Sequence, residues 1–185
     1  MTELLSKKDC RDQQKARLKA LAEEHPDVKV AQEERLYRKL FSSAGWRSAD
    51  TVALTKSLPF EVNTDSLIQQ AWLEKKTVLV ARVAEAGRLD FVQVSEKTNW
   101  SKPNRMGLVE PLDGKVMPVA AINLMIVPAL AFDCDSGQRL GFGGGYYDRV
   151  LKDFTGKSAA LCLAEQARCD WIKDDFDQVV QEIIN

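Results

Sequence analysis

The chain holds a single histidine, His25, and four cysteines that nowhere fall at C-x-x-C spacing. The first scarcity leaves no Cys–His or Ser–His arrangement for nucleophilic catalysis. The second leaves neither a zinc site nor a dithiol redox motif, so Cys10, Cys134, Cys162 and Cys169 are expected to be reduced and structural. Charge of one sign is lacking too. The 26 basic and 27 acidic residues give a net charge of -1, so no global positive field draws the protein to nucleic acid. The longest apolar run, VMPVAAINLMIVPALAF, is broken by Pro118, Asn123 and Pro128 and is too interrupted to span a bilayer. The first residues lack the apolar centre of a secretory leader. A cytoplasmic protein with no membrane and no nucleic-acid partner is expected.

The 185 residues suffice for one complete core and are short for two, so residues 1–185 are read as a single domain. Residues 4 to 45 read as helix in two pieces, divided at EHPD because Pro26 is disfavoured inside a helix. In the second piece Leu36, Tyr37, Leu40, Phe41 and Ala44 line one apolar face. TVALTKS (51–57) and TVLVARV (77–83) read as strands, with the helix NTDSLIQQAWLEKK between them and Thr64 as its N-cap. GRLDFVQVS is a shorter strand, residues 96–118 are irregular, and INLMIVPALAFD holds a second buried strand that ends near Pro128. A glycine loop, a helix over 145–155, the strand SAALCLA, a short helix and a last strand in QVVQEIIN complete the pattern. Strands alternating with helices predict an α/β fold, a three-layer α/β/α arrangement around a mostly parallel sheet.

The most unusual stretch is LGFGGGYYDRVL, residues 140–151, where three consecutive glycines precede two tyrosines and an aspartate. A loop that only had to turn needs one glycine. Without side chains at 143, 144 and 145, backbone N–H groups can face outward together, and a helix N-terminus behind them adds roughly half a positive charge. Such a place suits phosphate, with Arg139 and Arg149 near enough in sequence to assist. It is neither a Walker A loop nor a full G-x-G-x-x-G fingerprint. Spacing alone leaves two readings open: phosphate binding, or tight packing of helix on sheet. Tyr147, Val150, Leu151 and Phe154 form the buried face of the helix, with Tyr146 and Asp148 on its flanks. Asp148 is either a favourable first-turn carboxylate or a ligand of Mg²⁺.

VPALAFD…GQRLGFGGGYYDRVL resembles the signature of the 5-formyltetrahydrofolate cyclo-ligases, also called methenyltetrahydrofolate synthetases. KKDCR near the start, LPFEVNT, KTNWSKPNRMGLVEP and DDFDQVVQEII resemble further motifs of that family, in family order. The resemblance implies an ATP- and Mg²⁺-dependent closure of 5-formyltetrahydrofolate to 5,10-methenyltetrahydrofolate, with ADP and phosphate released. It places ATP at Lys7, Arg11 and the run Arg139, Leu140, Gly141, Phe142, Gly143, Gly144, Gly145, Tyr146 and Tyr147. It places the reduced folate at Lys56, Glu61, Trp100 and Phe142 to Tyr146, and the metal at Asp148 and Asp177. Arg139, Tyr146 and Asp148 are expected to carry catalysis, in a monomer. Lys7, Arg11 and Lys15 lie along one helix face, which without the resemblance reads as a solvated stripe. Three positions depart from the family: Phe142 stands where many relatives are basic, Ala81 where proline is usual, and Phe176 where a histidine is common. A small-molecule kinase and a non-catalytic nucleotide or folate binder are the competing readings.

Overall fold

The computed structural model describes residues 4–185. Two helices lead, α1 (Lys7–Glu24) and α2 (Pro26–Ser42), joined at His25, followed by a short α3 (Ala44–Ser48). The proline sits in the first turn of α2, where its missing N–H costs nothing. Ser6 caps α1 through a hydrogen bond from the Asp9 amide, 3.1 Å.

The remaining chain builds a seven-stranded sheet. Its strands are β1 (Thr51–Leu54), β2 (Thr77–Val83), β3 (Leu89–Val94), β4 (Val116–Met117), β5 (Leu124–Ile126), β8 (Lys157–Leu161) and β9 (Glu182–Ile184), in the spatial order β4-β3-β2-β1-β5-β8-β9. The pairs β2–β1, β1–β5, β5–β8 and β8–β9 are parallel, while β3 and β4 run antiparallel on one edge. The sheet is therefore mixed, with its parallel part in the middle. Helix α4 (Asp65–Leu73) connects β1 to β2, and α5 (Tyr146–Leu151) lies between β5 and β8.

Alternate residues of each buried strand face opposite sides. Val52, Leu54, Val78, Val80, Leu124 and Ile126 pack under α1 to α4 with Leu18, Leu36, Leu40, Trp46 and Leu67. Ala53, Leu79, Ala81 and Met125 face the other way, where Tyr147, Val150, Leu151 and Phe154 cover them from α5 and the turn after it. The expected three layers are present, one of them thin. The apolar faces read from the sequence in α2 and α5 are the faces that pack.

Several local expectations change. The strand in INLMIVPALAFD ends at Ile126, close to the expected end near Pro128, but Ala131–Phe132 then forms β6, which pairs antiparallel with β7 (Arg139–Leu140) in a separate two-stranded ribbon. Pro128 lacks the N–H that continued pairing would use, so the chain leaves the sheet there. The glycine segment consequently follows β7 rather than a strand of the main sheet. Helix α5 is six residues, shorter than the 145–155 expected, which weakens the dipole invoked for it. Thr64 makes no side-chain cap. Its hydroxyl instead accepts from the Ser57 amide, 2.9 Å. Within the region expected to be irregular, Val116–Met117 adds the edge strand β4.

Cys10 and Cys162 are buried and Cys134 and Cys169 exposed, all with free thiols. Among the described residues no helix is long and apolar enough to cross a membrane.

Leu124 is 1% exposed, in the middle of the sheet between β1 and β8. Leu124→Ala is expected to cost about 2–5 kcal/mol of stability through lost burial and a residual cavity. In urea unfolding this appears as a lower midpoint with an unchanged slope.

Candidate functional site

The strand order reverses between β1 and β5: the chain goes from β1 outward to β2 on one side, and from β5 outward to β8 on the other. In open α/β sheets the crevice at the carboxyl ends of such a pair is where ligands bind. The loops leaving those two ends here are Thr55–Thr64 and Val127–Leu130. Between them lies a narrow cavity of about 40 Å³ lined by Thr55, Ser57, Glu61, Thr64, Ala129 and Gln166. A cavity of that size admits little more than one water, or one polar edge of a larger molecule.

Glu61 is the charged group of that cavity. Its Oε2 accepts from the Leu58 amide at 2.7 Å, and the residue is 8% exposed. Burial pushes its carboxyl up to about 7, against the opposing effects of the Leu58 hydrogen bond and the positive field of Lys29. Gln166 is fixed behind it, donating to the Ala129 carbonyl at 2.7 Å and accepting from the Leu163 amide at 2.9 Å. Sequence reading missed Gln166, and a lone glutamine in AEQAR carries no signal that would have found it.

The same β1–α4 loop presents Lys56 to a second, open cavity of about 640 Å³, lined also by Asp65, Trp72, Ser95, Glu96 and Trp100. Lys56 is ion-paired with Asp65, and its ammonium lies 5.0 Å from the centre of the Trp100 ring. Trp100 pairs with Pro111 in an isolated bridge that folds the 100–111 segment back on itself. Lys56 and Trp100 therefore share a cavity, and Glu61 faces the narrow one beside it.

On the ribbon side a third group assembles. Arg139, on β7, is 5% exposed, and its Nη2 donates to Asp148 Oδ1 at 2.7 Å. Its Nε–H is buried with no acceptor. Burial draws its pKa down, and the negative fields of Asp148 and Asp177 partly restore it, so both carboxylates lie close to this one cation. Lys7 reaches from α1 to Asp177 at 2.6 Å and Asp174 at 2.7 Å. Burial opposes the Lys7 ammonium, but these two carboxylates outweigh it and raise its pKa. Arg11, one turn further along α1, donates from Nε to the Gly141 carbonyl at 2.8 Å. The stripe that resembled a solvated face thus meets the glycine segment and the carboxyl-terminal acidic turn.

The glycine segment is shaped by its backbone. Gly143 and Gly145 adopt φ of +102° and +65°, the left-handed region that a side chain disfavours. Arg149 fixes the far end, donating to the Gly87 carbonyl at 2.6 Å and the Gly144 carbonyl at 2.8 Å, with its guanidinium 5.3 Å from the Tyr146 ring centre. Phe142 is 40% exposed at the outer edge, while Leu140 is buried in the ribbon. Tyr147 packs its ring inward, with the Arg139 guanidinium 5.9 Å from the ring centre.

The sequence-nominated residues thus fall into three neighbouring places. Lys7, Arg11, Arg139 to Tyr147, Asp148 and Asp177 are brought together, Lys56 and Trp100 share the open cavity, and Glu61 stands between. No group of three or more His, Cys, Asp or Glu side chains arranged for a metal occurs among the described residues. Asp148 and Asp177 nonetheless fit Mg²⁺, which binds through one or two carboxylates and takes its other ligands from phosphate oxygens and water.

Comparison with known proteins agrees on one family. The sequence profile described as the 5-formyltetrahydrofolate cyclo-ligase family matches residues 4–183. The 5-formyltetrahydrofolate cyclo-ligase of Escherichia coli (strain K12) is 39% identical over 110 residues, covering 57% of this chain and 59% of that protein. The one from Haemophilus influenzae is 34% identical over 116 residues, covering 60% and 61%. These alignments span about three fifths of the relatives' length. The NMR structure of Aquifex aeolicus 5,10-methenyltetrahydrofolate synthetase superposes with a TM-score of 0.78 at 26% identity, covering 96% of this chain and 88% of that one.

The raised Glu61 pKa has a consequence for stability. Between about 4.5 and about 7 the folded chain keeps a proton that the unfolded chain has lost, so raising pH through that window favours unfolding. Glu61→Gln removes this penalty. Relative to the parent, the variant is expected to gain stability from pH 5 upward and level off above pH 7, by roughly 3 kcal/mol in urea titrations. A stability difference independent of pH would contradict a protonated Glu61 in the fold.

Proposed function

From the premise that this chain belongs to the 5-formyltetrahydrofolate cyclo-ligase family, we propose that it converts 5-formyltetrahydrofolate to 5,10-methenyltetrahydrofolate at the expense of ATP. The observation that carries the reading is the gathering of Lys7, Arg11 and Arg139 with Asp148 and Asp177 around the glycine segment. Three cations and a stretch of side-chain-free backbone suit a triphosphate. Two carboxylates inside a cationic cluster suit the magnesium ion that accompanies it.

In this reading Lys7, Arg11, Arg139 and the backbone from Leu140 to Tyr147 hold the polyphosphate. Asp148 and Asp177 hold Mg²⁺, whose contribution when bound is to neutralise charge on the phosphate oxygens. The buried Nε–H of Arg139 takes a phosphate oxygen, which gives that donor the acceptor it lacks. As Arg139 and Lys7 turn to phosphate, their present partners Asp148 and Asp177 become available to the metal. The reduced folate takes the crevice, with its ring against Trp100 and Lys56, its polar edge at Glu61 and its formyl group toward Tyr146 and Gly143–Gly145.

The chemistry is a two-step exchange. The formyl oxygen attacks the γ-phosphorus and ADP departs, and N10 then closes on the activated formyl carbon. The carbon–oxygen bond breaks, phosphate carries the oxygen away, and N10 releases its proton. A formamide oxygen leaves poorly and a phosphorylated one leaves well, so the protein's work is alignment and charge stabilisation rather than covalent catalysis. Arg139, Tyr146 and Asp148 border the transfer site in this reading. Phe142 brings no charge where relatives are basic. Arg11 compensates, its guanidinium carbon lying 3.4 Å from where a Gly143 side chain would begin.

The product extends conjugation across N5 and N10, so it absorbs in the near ultraviolet where the substrate does not. Purified protein is expected to produce that band only when 5-formyltetrahydrofolate, ATP and Mg²⁺ are all present, with free phosphate released in step. A phosphorylated folate without ring closure would indicate a kinase. ATP binding without turnover would indicate a binder.

A further inference from the structure

Arg149 directs its side-chain donors at backbone carbonyls. Nε and Nη2 donate to the Gly87 carbonyl at 2.9 and 2.6 Å, and Nη2 donates to the Gly144 carbonyl at 2.8 Å. The guanidinium also fills the space where side chains at 87 and 145 would begin, since a Cβ on either would lie 2.9 Å from one of its nitrogens. Gly87 closes the turn between β2 and β3, where Ala86 and Gly87 both take positive φ, +55° and +71°. A non-glycine residue is uncommon in that region. The clasp is thus anchored at one end on the turn between two strands of the main sheet, and at the other on the glycine segment.

Its effect falls on the Gly144–Gly145 peptide. In a trans peptide the C=O and the following N–H point in opposite directions. With the Gly144 carbonyl drawn to Arg149, the Gly145 N–H faces away from it. Among the described residues, the N–H groups of Gly143, Gly144 and Gly145 donate to no backbone carbonyl, which leaves them to a ligand. Glycine on both sides gives this peptide no Cβ to resist rotation, so its orientation is not fixed locally. A side chain at 144 is excluded by the Tyr146 ring, 2.4 Å from where its Cβ would lie. Turned over, the peptide would present a carbonyl oxygen in place of the N–H, and that oxygen repels phosphate. We infer that Arg149 is a positioning residue: by holding the Gly144 carbonyl it keeps the Gly145 N–H turned to the phosphate site, without touching phosphate itself. This assignment rests on the reading of the glycine segment as the ATP site.

The test compares the parent with Arg149→Ala and Arg149→Lys. In the ligand-free state the Gly144 carbonyl ¹³C resonance is expected to move upfield in Arg149→Ala, as a carbonyl losing a hydrogen bond does. Calorimetric titration of that variant with ATP and Mg²⁺ should show binding at least about tenfold weaker, the loss of one hydrogen bond to a charged group. Its affinity for 5-formyltetrahydrofolate alone should be unchanged. Lysine keeps the charge but lacks the planar fork that reaches two carbonyls, so Arg149→Lys should bind ATP nearly as weakly. In the parent, ATP and Mg²⁺ should shift the Gly145 amide proton downfield. A folded alanine variant with the parent's ATP affinity overturns the assignment and leaves the ATP reading intact. A lysine variant with the parent's affinity overturns it too, because charge alone would then suffice. Should the variants fail to fold, the parent's Gly145 amide decides: a downfield shift supports the assignment and an unmoved signal in ATP-saturated protein overturns it. A parent protein that binds no ATP overturns both readings.

Discussion

A guanidinium withdrawn from water is costly unless its N–H groups find acceptors, and the Arg139 guanidinium sets that constraint for the whole ligand-facing side of this fold. The side chain is almost fully enclosed, held to Asp148 by one short hydrogen bond, and left with an Nε–H that nothing accepts. Its position depends on the β6–β7 ribbon, which carries it, and on α5, which brings Asp148 against it. The glycine segment between them must turn sharply enough to join the two, and the positive φ values of Gly143 and Gly145 are how it does so. Lys7 and Arg11 arrive from a helix more than 120 residues away in sequence, drawn by Asp177 and by the Gly141 carbonyl. The cluster is a set of charges compensated internally.

The sheet explains why a crevice opens beside that cluster. Crossovers through α4 and α5 cover opposite faces, so the strands on either side of the β1–β5 boundary diverge and leave a crevice at their carboxyl ends. Glu61 sits in that crevice. A buried acid poised near neutrality is unfavourable for folding at physiological pH.

Much of this was legible in the sequence. The apolar spacing of Leu36, Tyr37, Leu40 and Phe41 and of Tyr147, Val150, Leu151 and Phe154 named the faces that pack. The run GFGGGYYD named the segment around which charges gather. Other features were not legible because they depend on distant partners. The β6–β7 ribbon needs two short segments to find each other, and nothing in AF or RL alone specifies that. Whether Lys7 and Arg11 face solvent or a site is decided by residues at the other end of the chain. Periodicity shows a charged stripe and is silent on what it meets. The separation of Glu61 from Lys56 arises because one loop turns its side chains into two cavities, a matter of loop geometry rather than composition.

The central claim is that the buried Nε–H of Arg139 is the donor awaiting a phosphate oxygen, and the most direct measurement is its own resonance. In ¹H–¹⁵N spectra of the arginine side chains, with the Arg139 signal assigned by its loss in Arg139→Lys, ATP and Mg²⁺ are added to saturation. The account predicts a large downfield shift of the Arg139 Hε, while Arg47, on α3 before the amino end of β1, stays in place. An unmoved Arg139 signal in a sample that calorimetry shows to be ATP-bound would contradict it.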